Sequence, residues 1–352
     1  MTQHTPKVIE MTGASQFPGR KFLTQLVKNP DITEIHIFDE RPPKVESTNI
    51  IFHRIDLLHE DADQEMAAIL IKNRVDTFIL CHLYGYPLRN QSIQREQETI
   101  GTWHILNAVA EAKIKKLLVK SDAFVYGARP NNPNFIKETA PLKATKWLGW
   151  HVKARVDVEK QLSDFAQHYP DCQTVVLRTS PILGPSSDHL IAKYFMTGPV
   201  PKILGFDPLL QFTHEDDAVR ALMAALKYDG PSEVFNIAGH GVLPLTTAIH
   251  LSGRIPISIP SVICQTAFKL GYFTGTWDIP AELLPYFQYI CVLDGHKAQR
   301  ILNFTPEFSS RQALKSTIET YRLSHKGFSR PSSYLGEEGS KKEAPGFAKV
   351  MP

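Results

Sequence analysis

The hydrophobic pattern along the first half of the chain switches repeatedly between two periods. Short β-rich runs stand at Val8 to Met11, Glu34 to Phe38, Ile50 to Ile55, Thr77 to Cys81, Lys116 to Val119 and Thr174 to Arg178, and each is followed by a longer stretch with helical spacing. Such alternation predicts right-handed βαβ crossovers and a parallel sheet covered on both faces, hence an α/β fold. The helix after the first run is predicted over Arg20 to Lys28. Asn29-Pro30 stops it, because proline cannot continue the hydrogen-bond ladder. A helix predicted over Ile100 to Ala112 places Ile105, Ala108, Val109 and Ala112 on one face, which assigns them to the core.

Beyond Leu183 glycine and proline become dense (Gly184-Pro185, Gly198-Pro199, Pro201, Gly205, Pro208), which points to loops leaving the sheet to build a second lobe. The expected division is a dinucleotide-binding body at 1–182, a substrate lobe at 183–326 with some segments returning to the sheet, and a disordered polar tail at 327–352. Val262, Ile263, Phe268, Leu270, Tyr272, Phe273 and Trp277 either line an apolar substrate pocket or form an amphipathic helix packed on the core, the more ordinary reading.

Composition narrows the function classes. The 39 basic and 36 acidic residues leave a net charge of +3. The last 28 residues hold five Lys/Arg and three Glu, so the body is almost neutral and lacks the clustered basic charge of a nucleic-acid footprint. Cys81, Cys172, Cys264 and Cys291 form no CxxC pair, which argues against a zinc site or a disulfide framework. The N-terminal residues lack the apolar core of a signal peptide, and no apolar stretch of about 20 residues spans a bilayer. A cytoplasmic protein without a membrane span is expected.

The first run ends in Thr12-Gly13-Ala14-Ser15-Gln16-Phe17-Pro18-Gly19 and leads directly into a helix. A strand, a glycine-bearing turn and a helix N-terminus together present backbone N–H groups and a positive dipole end to a pyrophosphate. Gly13 permits the tight turn and Gly19 lets the helix pack closely. Twenty residues after Gly19, Asp39 closes the second run; its carboxylate is suited to ribose hydroxyls and repels a 2′-phosphate, so NAD is favoured over NADP. Arg41 weakens that preference, and Asp56-Leu57 is placed to close over the adenine. Gln16 stands where the backbone must approach phosphates, and a Cβ there at positive φ would cost about 1–2 kcal/mol. A weakened Rossmann-type cofactor turn is therefore expected.

The turn TGASQFPG, Asp39, Asp56-Leu57, Leu118 to Gly127 (LVKSDAFVYG), Leu177 to Pro185 (LRTSPILGP), Phe212 to Asp217 (FTHEDD) and Leu302 to Pro306 (LNFTP) occur in one order. That order resembles the extended short-chain dehydrogenase/reductases of the NAD-dependent epimerase/dehydratase family, especially a UDP-glucose 4-epimerase-like branch. The likeness spans roughly Lys7 to Tyr321, with Asn303 where the family's closing segment has glycine. It implies a dinucleotide held by Thr12, Gly13, Ser15, Gln16, Phe17, Gly19, Asp39, Arg41, Asp56, Leu57, His82 and Ser121, and a substrate meeting Tyr126, Pro181 and His214.

In that family a tyrosine exchanges the substrate hydroxyl proton, a lysine four residues on supports it, and a Ser/Thr binds the reacting oxygen. Here the resemblance sets His151 at the tyrosine position, Arg155 at the lysine and Asp122 at the Ser/Thr; Glu98 stands at a frequent asparagine. The whole tetrad is replaced. A neutral histidine can still exchange a proton near neutrality, Asp122 could orient its ring, and Arg155 would oppose its charge. The rival is that His151 and Arg155 are solvated residues of a charged helix face. Leu209 to Phe212 carries no arginine where family members that hold a UDP-sugar bind phosphate. His214, Asp216 and Asp217 match structural positions of the family, so no metal is expected.

The leading expectation is an NAD-dependent epimerase or oxidoreductase acting on a carbinol or ketone, with a nucleotide sugar as the candidate substrate and a homodimer as the candidate assembly. Two rivals stand beside it. One is a protein that binds NAD(H) as a sensor or scaffold without catalysis; the other is an NADPH-dependent reductase of a lipid-like ketone.

Overall fold

The computed structural model describes residues 8–83, 91–143, 149–187, 190–196, 198–275 and 279–324. The expected tail and Trp277 lie outside the described residues.

Seven parallel strands form the central sheet: β1 (Val8–Thr12), β2 (Glu34–Asp39), β3 (Ile50–Arg54), β4 (Thr77–Leu80), β5 (Lys116–Asp122), β6 (Gln173–Thr179) and, after several short strands, β11 (Glu233–Ile237). Their order is β3-β2-β1-β4-β5-β6-β11, so the chain reverses direction across the sheet between β1 and β4. Helices α1 (Gly19–Leu26), α2 (Ala62–Lys72), α3 (Gln91–Glu111) and α4 (Gly149–His168) connect these strands. Ile9 and Met11 of β1 face one side, where Phe22, Leu23 and Leu26 of α1 pack. Phe78, Leu80, Leu117 and Val119 face the other side and meet Met66, Ile105, Val109, Val158 and Leu162 from α2, α3 and α4. The inner strands β1, β4, β5 and β6 are thus buried on both faces, as βαβ alternation requires, while β3 forms a partly exposed edge.

The second half adds β7 (Ile182–Leu183), α5 (Leu190–Met196), β8 (Val200–Ile203), β9 (Leu209–Leu210), β10 (Thr213–His214), α6 (Glu215–Lys227), β12 (Leu243–Pro244), α7 (Leu245–Leu251), β13 (Pro256–Ile259), α8 (Ser261–Thr274), α9 (His296–Ile301) and α10 (Ser310–Ser324). Its short strands pair two by two, β7 with β10, β8 with β13 and β9 with β12. Tyr194, Phe195, Phe212, Leu245, Phe287 and Leu314 build a second apolar core. α6 instead packs on the central sheet through Val219, Leu222 and Ala225, beside α1.

One expectation about an element is corrected. The helix predicted over Ile100 to Ala112 begins at Gln91. Its first turns bury Gln94 and Glu98 rather than apolar residues, so hydrophobic periodicity gives no sign of them. α8 packs on the second apolar core through one narrow stripe, in keeping with the ordinary reading of this stretch. Only Cys264 and Phe268 are buried, while Val262 and Phe273 are 77% and 89% exposed.

Candidate active site

β1 delivers Thr12 to the carboxyl edge of the sheet, beside the point where strand order reverses; ligands of open α/β sheets bind in the crevice there. Gly13 turns at φ 71°, and a Cβ on it would stand 2.4 Å from the Cys81 carbonyl carbon, so only glycine fits between the turn and the end of β4. A Cβ on Gly19 would meet the Gly13 carbonyl oxygen at 2.2 Å, so α1 starts in direct contact with the turn. Gln16 is accommodated without strain. Its φ is not positive, and its N–H donates to the Gly13 carbonyl at 3.2 Å, which removes the cost expected for a side chain at this position.

Asp39 reaches back to the turn from the tip of β2. Its Oδ1 accepts from the Gly13 N–H at 2.8 Å and its Oδ2 from the Ser15 N–H at 3.0 Å. Burial raises its carboxyl above the usual aspartate value, and those amide bonds only partly offset the shift. Arg41 is exposed, and Phe17 is half-buried. Asp56 is exposed and accepts from the Leu58 N–H at 2.9 Å, while Leu57 packs against Gly101 of α3. Thr12 and His82 meet below the turn, hydroxyl to Nδ1 at 3.3 Å. Burial, aided by the Arg155 charge, pushes the His82 imidazole down to about 3, so it is neutral at physiological pH.

α4 carries His151 and Arg155 one turn apart on its inner face, 3% and 0% exposed, which removes the reading of a solvated helix face. The Arg155 guanidinium bridges two carboxylates: Nη2 stands 3.0 Å from Glu98 Oε1 and Nε 3.1 Å from Asp122 Oδ2. Glu98 also accepts from Gln94 Nε2 at 2.9 Å. Asp122 Oδ1 accepts from the Phe124 N–H at 3.0 Å and caps the short turn Ala123–Tyr126. Asp122 therefore pairs with Arg155 and does not orient His151 as expected, because the guanidinium offers the stronger partner for a buried carboxylate. The His151 ring lies edge-on to Phe124 and Trp150, with centroids 5.8 and 5.7 Å away.

Three expected contact residues use their side chains in internal networks. The Ser121 hydroxyl donates to Glu159 Oε1 at 2.6 Å, and Arg178 grips the same carboxylate from β6. The Tyr126 hydroxyl accepts from Arg178 Nη1 at 2.8 Å and donates to Asn236 Oδ1 at 2.7 Å; burial pushes its phenol up to about 12. β5 alternation turns Ser121 into the layer beneath the edge, and the hydroxyl of Tyr126 is fully used inside the protein. His214 caps α6, its Nδ1 accepting from the Asp216 N–H at 3.2 Å, and its ring stacks on Phe308 with centroids 3.9 Å apart. Pro181 stays at the sheet edge just after β6, where its carbonyl accepts from the Thr213 N–H.

Two charged residues at the sheet escaped the sequence reading. Glu10 in β1 is fully buried, and neither carboxyl oxygen has a well-formed hydrogen bond; burial, with the Asp39 charge nearby, drives its carboxyl well above the ordinary range. Lys120 in β5 is 2% exposed, and its Nζ stands 3.4 Å from the Leu83 carbonyl oxygen. Glu10 carried a signal, as a charged residue inside an apolar run, whereas Lys120 lies just past the run predicted at Lys116 to Val119 and carried none.

The family model described as "NAD dependent epimerase/dehydratase family" matches residues 9–238. The uncharacterized protein Rv0501 of Mycobacterium tuberculosis is 27% identical over 313 residues, covering 88% of this chain and 82% of that protein. UDP-glucose 4-epimerase of Thermotoga maritima, solved with UDP-glucose, superposes with a TM-score of 0.68 at 20% identity, covering 90% of this chain and 99% of its own. The dTDP-glucose 4,6-dehydratase DesIV of Streptomyces venezuelae, solved with NAD and TYD, gives 0.70 at 19% identity over 90% and 97%. At these identities the solved structures establish the shared fold.

Proposed function

Because the chain belongs to the NAD dependent epimerase/dehydratase family, we propose that it binds NAD across the carboxyl edge of β1, β2, β4 and β5 and performs epimerase or dehydrogenase chemistry on the carbinol of a nucleotide sugar. The observation that carries this reading is the Gly13 turn. It has no room for a Cβ, and its Gly13 and Ser15 amides hold the Asp39 carboxylate alongside. In this reading the turn receives the diphosphate and Asp39 the adenosine ribose that follows it. The nucleotide-sugar substrate is carried over from the UDP-glucose and TYD bound in the solved relatives.

The dinucleotide supplies hydride acceptance and return. The chain's own part is to exclude water and handle the proton. His151, buried against Phe124, takes the substrate hydroxyl proton, and the triad of Glu98, Arg155 and Asp122 fixes the edge of α4 from which it projects. The test is calorimetry of the dinucleotide-stripped protein with NAD and NADH, followed by reduced-nicotinamide absorbance during a nucleotide-sugar screen on the parent and His151→Phe. Binding with turnover that the variant abolishes is the expected result. Binding without turnover in the parent would make the protein an NAD(H) sensor or scaffold, and no heat with either species would end the proposal.

A further inference from the structure

Arg155 occupies the helix position that in this family belongs to a lysine, but both edges of its guanidinium are engaged by Glu98 and Asp122. An arginine also stays charged under all conditions, so it cannot reproduce a titrating ammonium. A second cation stands in the same charge cluster. Lys120 projects from β5 near its carboxyl end, and its Nζ reaches the Leu83 carbonyl just beyond the end of β4. Among the described residues no carboxylate oxygen lies within 4 Å of that Nζ, and the bond to Leu83 is long. A buried ammonium without a close counter-ion is costly: burial lowers the pKa of this one, the more distant Asp122 charge opposes that only in part, and the Arg155 charge adds to it.

The place of Lys120 across the sheet decides what it faces. Asp39 and the Gly13 turn lie at β1 and β2, on the adenosine side of the reversal point; β4 and β5 lie on the other side, where the far half of a dinucleotide must extend. Resting on the dinucleotide reading above, we propose that Lys120 is a cofactor-contacting residue on the nicotinamide side and that its ammonium biases the protein toward the reduced dinucleotide. The oxidised nicotinamide ring carries a positive charge that the reduced ring lacks, so a fixed cation in a low-dielectric crevice disfavours the oxidised form.

The experiment compares affinities for NAD and NADH in the stripped parent, Lys120→Met and Lys120→Arg, by calorimetry and nicotinamide fluorescence, with Tm recorded for each. Expected is a fall of about tenfold in the ratio Kd(NAD)/Kd(NADH) on Lys120→Met, while Lys120→Arg keeps the parent ratio. Lys120→Gln serves as the second neutral variant where methionine impairs folding. A parent that binds both species and a neutral variant with an unchanged ratio, whatever its Tm, overturns the assignment while sparing the dinucleotide reading. A lower Tm with that ratio unmoved shows that Lys120 only balances the triad. A parent that binds neither species ends both readings at once.

Discussion

A buried guanidinium between two carboxylates sets the terms on which the centre of this site is stable. Glu98, Arg155 and Asp122 carry one excess negative charge, and all three are withdrawn from water. Arg155→Met removes the common partner and leaves two carboxylates facing each other in a low dielectric. A loss of about 3–5 kcal/mol in unfolding free energy is expected from urea titration, with partial recovery when Glu98→Gln is added. That compensation would not occur if Arg155 acted only through its volume. The same residues show what a linear reading misses: His151, Arg155 and Asp122 could be aligned by order along the chain, but their partners could not. Asp122 sits closer along the chain to His151 than to Arg155, yet it bonds to the latter, because partner choice is decided by which charges are buried together.

At the scale of the element, β1 is the most constrained segment. Its pleat sends Ile9 and Met11 to one face and turns Glu10 into the other, where no well-formed partner receives the carboxyl. The Glu10 proton is held in the folded chain at pH values where the unfolded chain, with the usual value of about 4.5, has lost it. The stability that this protonation contributes is complete below that value and disappears as pH rises through the elevated folded value. Glu10→Gln keeps the neutral shape without the ionisation. It should leave Tm nearly unchanged at about pH 5 and raise it at about pH 8, by about 2–4 °C per kcal/mol gained, as calorimetric scans would show. Equal shifts at both pH values would place the effect in packing. α3 teaches a related lesson, since its buried polar face at Gln94 and Glu98 forms a helix start invisible to any hydrophobic count. Asn303 resolves the family's missing glycine: it adopts φ 52°, a left-handed conformation that asparagine tolerates better than most residues.

Across the whole molecule, the sheet places the Gly13 turn at its reversal point, with the acidic tip of β2 on one side and the charge cluster of α3, α4 and β5 on the other. If Asp39 serves the adenosine ribose as proposed, Asp39→Asn should weaken NAD binding about tenfold and bring NAD and NADP affinities to within roughly threefold, because the carboxylate that repels a 2′-phosphate is gone. Calorimetry with both dinucleotides reads this directly, and an undiminished preference would remove Asp39 from recognition. Among the described residues, no helix is long and apolar enough to cross a membrane. The six early strands, the glycine turn and the acid that ends β2 were all legible in the sequence, because each follows from local rules: period, turn conformation and spacing along consecutive elements. The seventh strand, the polar start of α3, the exposed face of α8 and the true partners of Ser121, Tyr126, Asp122 and His214 were decided only by tertiary structure. Burial, and the pairing that burial forces on charged and polar groups, depends on residues far apart in the chain, and no local pattern records which of them will meet.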